Sequence, residues 1–312
     1  MVFTLPDAIF PACLFNQKLV YDLLFDSAAE TLLTFGRDEK WMGGQIGFFG
    51  VLHTWGQTMC LHPHVHFIVA GGGINDQGRW VSGKYNRKFL FPVRALSKVF
   101  RGKFIAGLKG AYAGDELQFP GELSQKSFEE WIEELCSKQW IVFAKPPFGS
   151  PEEVVSYVGR YTHRVAISNH RIVSIDKGQI AFNYKDYRDD SKVKEMALSA
   201  QEFIRRFLWH VLPVGFHKIR HYGFLANGWK RKLKQIIEAL KSTQVISSES
   251  TEQVAADPVR GIVCPICRRG RLHSIAIITR YGELVIRNLA CSIEFVKRKL
   301  PEGSSELGLL ST

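Results

Sequence analysis

His62-Pro63-His64-Val65-His66 sets two imidazoles around a single hydrophobe within an apolar run. On a β-strand, side chains alternate between faces, so His64 and His66 share one face while Val65 enters the opposite layer. Their separation of about 7 Å, two strand rises, lets both rings reach one divalent cation. His53 lies on the preceding apolar stretch, where an antiparallel return brings it alongside the pair. A third ligand with coordination positions left open is what a catalytic metal requires. The competing reading makes each histidine an ordinary hydrogen-bonded core or edge residue.

A second constellation is Tyr157-Val158-Gly159-Arg160-Tyr161. Residues four apart on a helix share a face, about 6 Å apart, so both phenols can approach one reaction centre. A phenol titrates near pH 10 and is a poor nucleophile unless a cation or guanidinium offsets its charge. Arg160, His163 and Arg164 are close in sequence. Alternatively, Val154, Tyr157, Val158 and Tyr161 form an apolar stripe and the tyrosines are core. Cys264-Pro-Ile-Cys267 in the tail is half a zinc site, with His273 and Cys291 as partners for a structural Zn²⁺, or else a pair of free thiols.

The elements that must position these residues can be read from periodicity. Val2–Leu5 reads as a short strand, and 19–35 as a helix with Leu23, Leu24, Ala28, Leu32 and Leu33 at helical spacing. Gln45–Trp55 and His64–Ala70 read as buried strands, the second ended by Gly71-Gly72-Gly73. Helices follow over 93–112 and 127–135, then a strand over 140–144. Ser150, Pro151 and Glu153 form a capping-box start for the helix that carries the tyrosines. Strands 171–175 and 179–184 form a hairpin through Asp176-Lys177-Gly178. Ser199 and Glu202 cap a further helix containing Phe203, Phe207 and Val211. The pattern predicts an α+β fold, an antiparallel sheet flanked by helices, with a small C-terminal tail. The expected division is 1–228 as the catalytic domain, 229–258 as a basic helix and polar linker, and 259–312 as the CxxC tail.

Composition narrows the function classes. The 312 residues include 41 Lys and Arg against 30 Asp and Glu, a net charge of +11, which favours a polyanionic partner. Six cysteines are too sparse for a secreted disulfide framework, and no apolar run approaches the roughly 20 residues of a membrane span. The expectation is a cytoplasmic protein held at the nucleoid through DNA, without membrane association.

The two constellations together resemble the HUH endonucleases, named for histidine-hydrophobe-histidine. More closely, the sequence looks like the two-tyrosine transposases of rolling-circle insertion sequences. The similar stretches are VFTLP, VLHTWGQ, LHPHVHFIVAGGGI, FPVRALSKVFRGKF, YVGRYTHRVAISNHRI and EFIRRFLWHVLPVGFHKIRHYG, spanning roughly residues 2–230. The resemblance implies that His64 and His66 bind Mg²⁺ or Mn²⁺ and that Tyr157 and Tyr161 are nucleophiles. The reaction it implies is nicking and joining of single-stranded DNA at transposon ends through a 5′-phosphotyrosine link. Some single-tyrosine relatives take a third ligand from four residues beyond the nucleophile, a place Tyr161 occupies here; His53 is the geometric choice and Gln57 the reserve. Arg160, Arg164, Arg205, Arg206, Lys218 and Arg220 are candidate phosphate contacts, and Trp55 a candidate base-stacking ring. Family members commonly carry an N-terminal Cys/His zinc-binding domain before the first strand, whereas this sequence starts at that strand. Other readings are a replication initiator or relaxase-type nickase, an inactive DNA-binding remnant, and a zinc hydrolase acting on small molecules.

Overall fold

The computed structural model describes residues 1–83, 90–119, 127–162, 166–229, 232–234, 237 and four short strands beyond residue 260; side chains at 160–162 and in those four strands lie outside the description. The chain forms two compact units, Met1–Glu249 and Ser250–Thr312. In the first, strands β1 (Val2–Thr4), β2 (Gln45–Trp55), β3 (Leu61–Ile74), β4 (Trp80–Ser82), β5 (Ile141–Phe143) and β9 (Ile219–Gly223) form one sheet. Its order is β5-β1-β3-β2-β9, with β4 also pairing β3, and every pairing is antiparallel. A separate meander contains β6 (Ile172–Asp176), β7 (Gln179–Asp186) and β8 (Lys192–Ser199). The helices are α1 (Phe10–Phe15), α2 (Gln17–Arg37), α3 (Val93–Ala113), α4 (Phe128–Ser137), α5 (Pro151–Thr162) and α6 (Ala200–Leu208).

One face of the sheet is the core. Phe3, Phe48, Leu52, Val65 and Phe67 point into it and are fully or almost fully buried. Leu24, Phe25, Ala28 and Leu32 of α2 and Leu96, Phe100 and Phe104 of α3 cover them. Phe67 meets Phe3, Phe25 and Phe48 edge-on at 5.8, 6.3 and 5.3 Å between ring centroids, the arrangement preferred by aromatic quadrupoles. This packing explains Gly50, where a β-carbon would lie 2.5 Å from the Phe67 ring.

The structure corrects the expected end of β3. Rather than stopping at Gly71-Gly72-Gly73, the strand continues to Ile74, and Gly72 and Gly73 pair with Ser82 and Val81 of β4. The glycines permit close approach: a β-carbon on Gly72 would lie 2.5 Å from the Trp80 ring. Strands β8 and β9 and helix α1 are also additions to the predicted elements.

Local signals account for several ends. Ser127 and Glu130 complete a reciprocal capping box on α4, with bonds of 3.1 and 2.7 Å. At α5, the Glu153 backbone N–H donates to Ser150 Oγ at 3.4 Å. The Glu153 carboxylate reaches one residue further back and accepts from the Gly149 N–H at 2.9 Å. Lys177 and Gly178 both have positive φ, the two-residue turn that joins twisted strands β6 and β7. In the second unit, Ile262–Val263 pairs Arg271–Leu272, and Ala276–Ile278 pairs Leu284–Ile286. Cys264, Cys267, His273 and Cys291 fall outside the described residues. Among the described residues, no helix is long and apolar enough to cross a membrane.

Candidate metal and nucleophile site

The sheet face opposite the core carries the histidine cluster. Register alone sets it up: Leu52 opposes Val65 on the core side, so the next pair, His53 and His64, must emerge on the other. His66 follows two residues along β3 on the same face. The result is a compact cluster in which ligand nitrogens of His53, His64 and His66 all lie within 4.8 Å of one another. The His64 and His66 rings are 4.9 Å apart and His53 is 4.6 Å from His66, closer than the backbone spacing because the rings lean together. Opposed ligands on one ion are separated by about 4.2 Å at usual metal–nitrogen lengths, so small ring rotations close the set.

The surroundings settle which nitrogens face inward. His64 Nδ1 lies 2.6 Å from the His62 carbonyl, to which it must donate, leaving Nε2 with the lone pair. His66 Nδ1 lies 2.7 Å from the Tyr157 hydroxyl; in the tautomer with the proton on Nδ1, Nε2 carries the lone pair. Burial holds the His64 imidazole down to about 3, with the adjacent His53 adding to the effect. His66 is lowered first by burial and then by His64 and His53. Neutral imidazole is the form that binds a metal, so the donor set fits a divalent cation.

Tyr157 arrives on α5 and is 8% exposed. Phe148 packs edge-on against its ring at 5.3 Å, and Lys145 Nζ lies 5.7 Å from the ring centroid. Of the apolar stripe, Tyr157 is buried and Val154 and Val158 are half-buried, and the Tyr157 hydroxyl is aimed at the histidines. The side chains of Arg160 and Tyr161 and all of Arg164 lie outside the described residues.

A cavity of about 800 Å³ opens over the cluster. His53, His64 and His66 line one wall, and Arg171, Tyr184, Lys185 and Tyr187 from the region of the meander line another. Gln57 joins the two walls rather than completing the cluster: its side-chain carbonyl accepts from the Lys185 N–H at 3.3 Å, and its amide donates to Tyr187 at 3.4 Å. Arg171 donates to the Gln57 backbone carbonyl and, at 2.8 Å, to that of Asn183. Lys145 beside the Tyr157 ring, and Arg171 and Tyr187 on the cavity wall, are residues that sequence reasoning did not single out, and no local signal marks them.

The other cationic candidates divide. Arg205 and Arg206 both pair with Glu202 at 2.6 and 2.7 Å, and Arg206 also donates to the Thr58 carbonyl. Arg220 pairs with Asp22 and packs over Phe25 and Phe216. Lys218, by contrast, lies 5.2 Å from the centroid of Trp55, whose ring stacks on His53 at 4.6 Å.

Fold and site together define an α+β protein with a histidine cluster and an adjacent tyrosine on one face of an antiparallel sheet. The profile of the Y2_Tnp family, described as "Putative transposase", matches residues 47–233. The chain belongs to this two-tyrosine HUH transposase family. It is 45% identical over 292 residues to "Putative transposase y4qJ" of Sinorhizobium fredii, covering 89% of this chain and 72% of that one. It is 30% identical over 250 residues to "Transposase for insertion sequence element IS801" of Pseudomonas savastanoi pv. phaseolicola, covering 77% of this chain and 57% of that protein. A solved structure of conjugative relaxase TrwC with mutant oriT DNA aligns with 67% of this chain and 70% of its own, at TM-score 0.32 and 14% identity.

Proposed function

We propose that this chain nicks and rejoins single DNA strands at transposon ends, with Tyr157 as nucleophile and His53, His64 and His66 holding Mg²⁺ or Mn²⁺. The observation that carries this reading is the 2.7 Å contact between the Tyr157 hydroxyl and His66 Nδ1, beside a convergent histidine cluster. Family membership and the net charge of +11 support DNA as the partner. Imidazoles are softer than Mg²⁺ prefers, so Mn²⁺, Co²⁺ or Ni²⁺ binds more tightly in vitro.

When bound, the cation polarises the scissile phosphate and offsets charge developing on its oxygens. With Nε2 committed to the cluster, His66 carries its proton on Nδ1 and donates it to the Tyr157 oxygen. That bond favours phenolate over phenol and so activates a group that titrates too high to react unaided. The Tyr157 oxygen attacks phosphorus, the P–O3′ bond breaks, and the departing 3′ oxygen takes up a proton equivalent to the one the phenol released. The phosphotyrosine ester retains the bond energy, so attack by a 3′-OH on the same phosphorus rejoins a strand and restores the phenol. Tyr161, four residues along α5, is the second nucleophile in this scheme, able to cut while Tyr157 holds a strand.

Covalent trapping tests the proposal. Protein, Mn²⁺ and labelled single-stranded DNA from the element's ends are resolved on a denaturing gel, beside His64→Ala and Tyr157→Phe/Tyr161→Phe. A metal-dependent shifted band, absent from both variants, is the expected result. DNA binding without any adduct would instead identify an inactive remnant. Failure to bind DNA with steep salt dependence would favour small-molecule hydrolysis.

A further inference from the structure

The sheet has one edge whose surroundings the proposed chemistry does not use. Among the described residues, strand β5 pairs with β1 alone and its outer backbone edge has no strand partner. A groove of about 360 Å³ runs between this edge and α3, and Arg94, Lys98, Arg101 and Lys138 line it without any lining carboxylate. Arg94, Lys98 and Arg101 follow helical spacing and so project from one side of α3. Among the described residues, no carboxylate lies within ion-pair distance of these three. Arg101 donates to the Cys136 carbonyl at 2.9 Å, which steadies it at the groove wall. Lys138 is shared with Asp7 and Glu134 at 3.8 and 3.7 Å, long contacts that leave its ammonium available.

Helix α3 packs on the core face, so the groove reaches the histidine face only by way of the β5 edge, whose residues are in register with the histidines. Thr4 pairs with both His64 and Ile141, and Val2 pairs with both His66 and Phe143. Ile141 and Phe143 therefore lie on the histidine face, two strand spacings or about 10 Å from the cluster. Both are about half exposed, at 51% and 54%, where a sheet edge ordinarily avoids large apolar groups. The chain itself connects the two places: from Lys138 it forms β5, passes Lys145 beside the Tyr157 ring, and enters the nucleophile's helix. Cations for phosphates beside exposed apolar side chains for unpaired bases are what a single-stranded nucleic acid track requires.

We propose that the groove between α3 and β5 binds the phosphodiester backbone of the DNA strand a few nucleotides from the scissile phosphate. Arg94, Lys98, Arg101 and Lys138 are its phosphate contacts, and Ile141 and Phe143 support the intervening bases. The assignment of DNA as the ligand rests on the transposase reading. Arg205 and Arg206 pair with Glu202 and Arg220 with Asp22, whereas the groove supplies cations at the β5 edge of the sheet.

The test uses the full chain carrying Tyr157→Phe/Tyr161→Phe, so that binding is measured without cleavage. Fluorescence anisotropy with a mixed-sequence single-stranded oligonucleotide is recorded across a salt series. Arg94→Ala/Lys98→Ala/Arg101→Ala is expected to bind roughly tenfold or more weakly at low salt, and its log K against log salt slope to flatten by about 2, three contacts at about 0.7 each. Because Arg101 also supports the α4 terminus, Arg94→Glu/Lys98→Glu is the second variant, expected to show the same loss with unchanged melting. Lys109→Ala/Lys177→Ala, outside the groove, is expected to leave the slope unchanged. Parent-like slopes in both groove variants, with wild-type protein still forming the tyrosine adduct, would overturn the groove alone. A parent that neither binds the strand nor yields an adduct in the wild-type background would overturn both readings.

Discussion

Strands β2 and β3 present two unlike faces made from alternating residues of the same few positions. Leu52, Val65 and Phe67 face α2 and α3 and are buried among aromatic rings. His53, His64 and His66 face the cavity and α5, and their polar atoms are aimed at one another, at a carbonyl and at a phenol. The core face gains from excluding water from hydrocarbon, whereas the histidine face pays desolvation to keep imidazoles neutral. Stability and chemistry are thus separable at single-residue resolution, because adjacent residues in a strand belong to different layers.

The strongest way to break this comparison is Tyr157→Phe. Removing one oxygen from the chemical face is expected to reduce adduct formation at this position by at least about a thousandfold while leaving the melting temperature close to wild type. Trapping on a Tyr161→Phe background isolates the effect; an undiminished adduct would show that Tyr157 does not attack. Phe67→Ala probes the other face. Loss of a fully enclosed ring is expected to cost about 3–5 kcal/mol in urea unfolding. A cost below about 1 kcal/mol would mean that this layer is not the source of stability.

His64→Ala should separate the faces with a smaller effect. Mn²⁺ affinity, read by calorimetry, is expected to fall at least about a hundredfold, with little change in unfolding of the metal-free protein. Unchanged affinity would exclude His64 from the ligand set. Finally, acid should act through the histidine face. His64 is lowered from 6.5 to about 3, so below pH 6.5 the unfolded chain takes up a proton that the folded chain refuses. Metal-free stability is therefore expected to decline as pH falls from about 6.5 toward 3, by on the order of 1 kcal/mol per pH unit, and to be insensitive to this group above 6.5. His64→Ala should flatten that slope; an identical slope in the variant would place the cause elsewhere.

Much of this arrangement is legible in the sequence where the signal is local. The run 45–55 is apolar and aromatic enough to place both ends of β2 as a buried strand, and the HPHVH motif identifies the face of β3 that carries the histidines. Antiparallel return likewise places His53 opposite His64. What escapes is information held by distant partners. Gly71-Gly72-Gly73 looks like a strand end until Trp80 supplies the covering ring. Strand β9, Ile219–Gly223, carries Arg220 and His221 and lacks a strong apolar pattern, as expected for a strand at a sheet edge. The pairing of Arg205 and Arg206 with Glu202, and of Arg220 with Asp22, is likewise hidden, because a sequence lists charges without their partners. Tyr157 reads equally well as core or nucleophile until its hydroxyl is seen against His66, ninety-one residues away.

That separation along the chain has a consequence for biosynthesis. The histidine hairpin is made from neighbouring segments and can form soon after it leaves the ribosome, whereas α5 emerges only after α3, α4 and β5 have been made. A nascent chain can therefore form the histidine cluster while still lacking the tyrosine that packs against it. The contact between His66 and Tyr157 must wait until α5 has been synthesised and has docked.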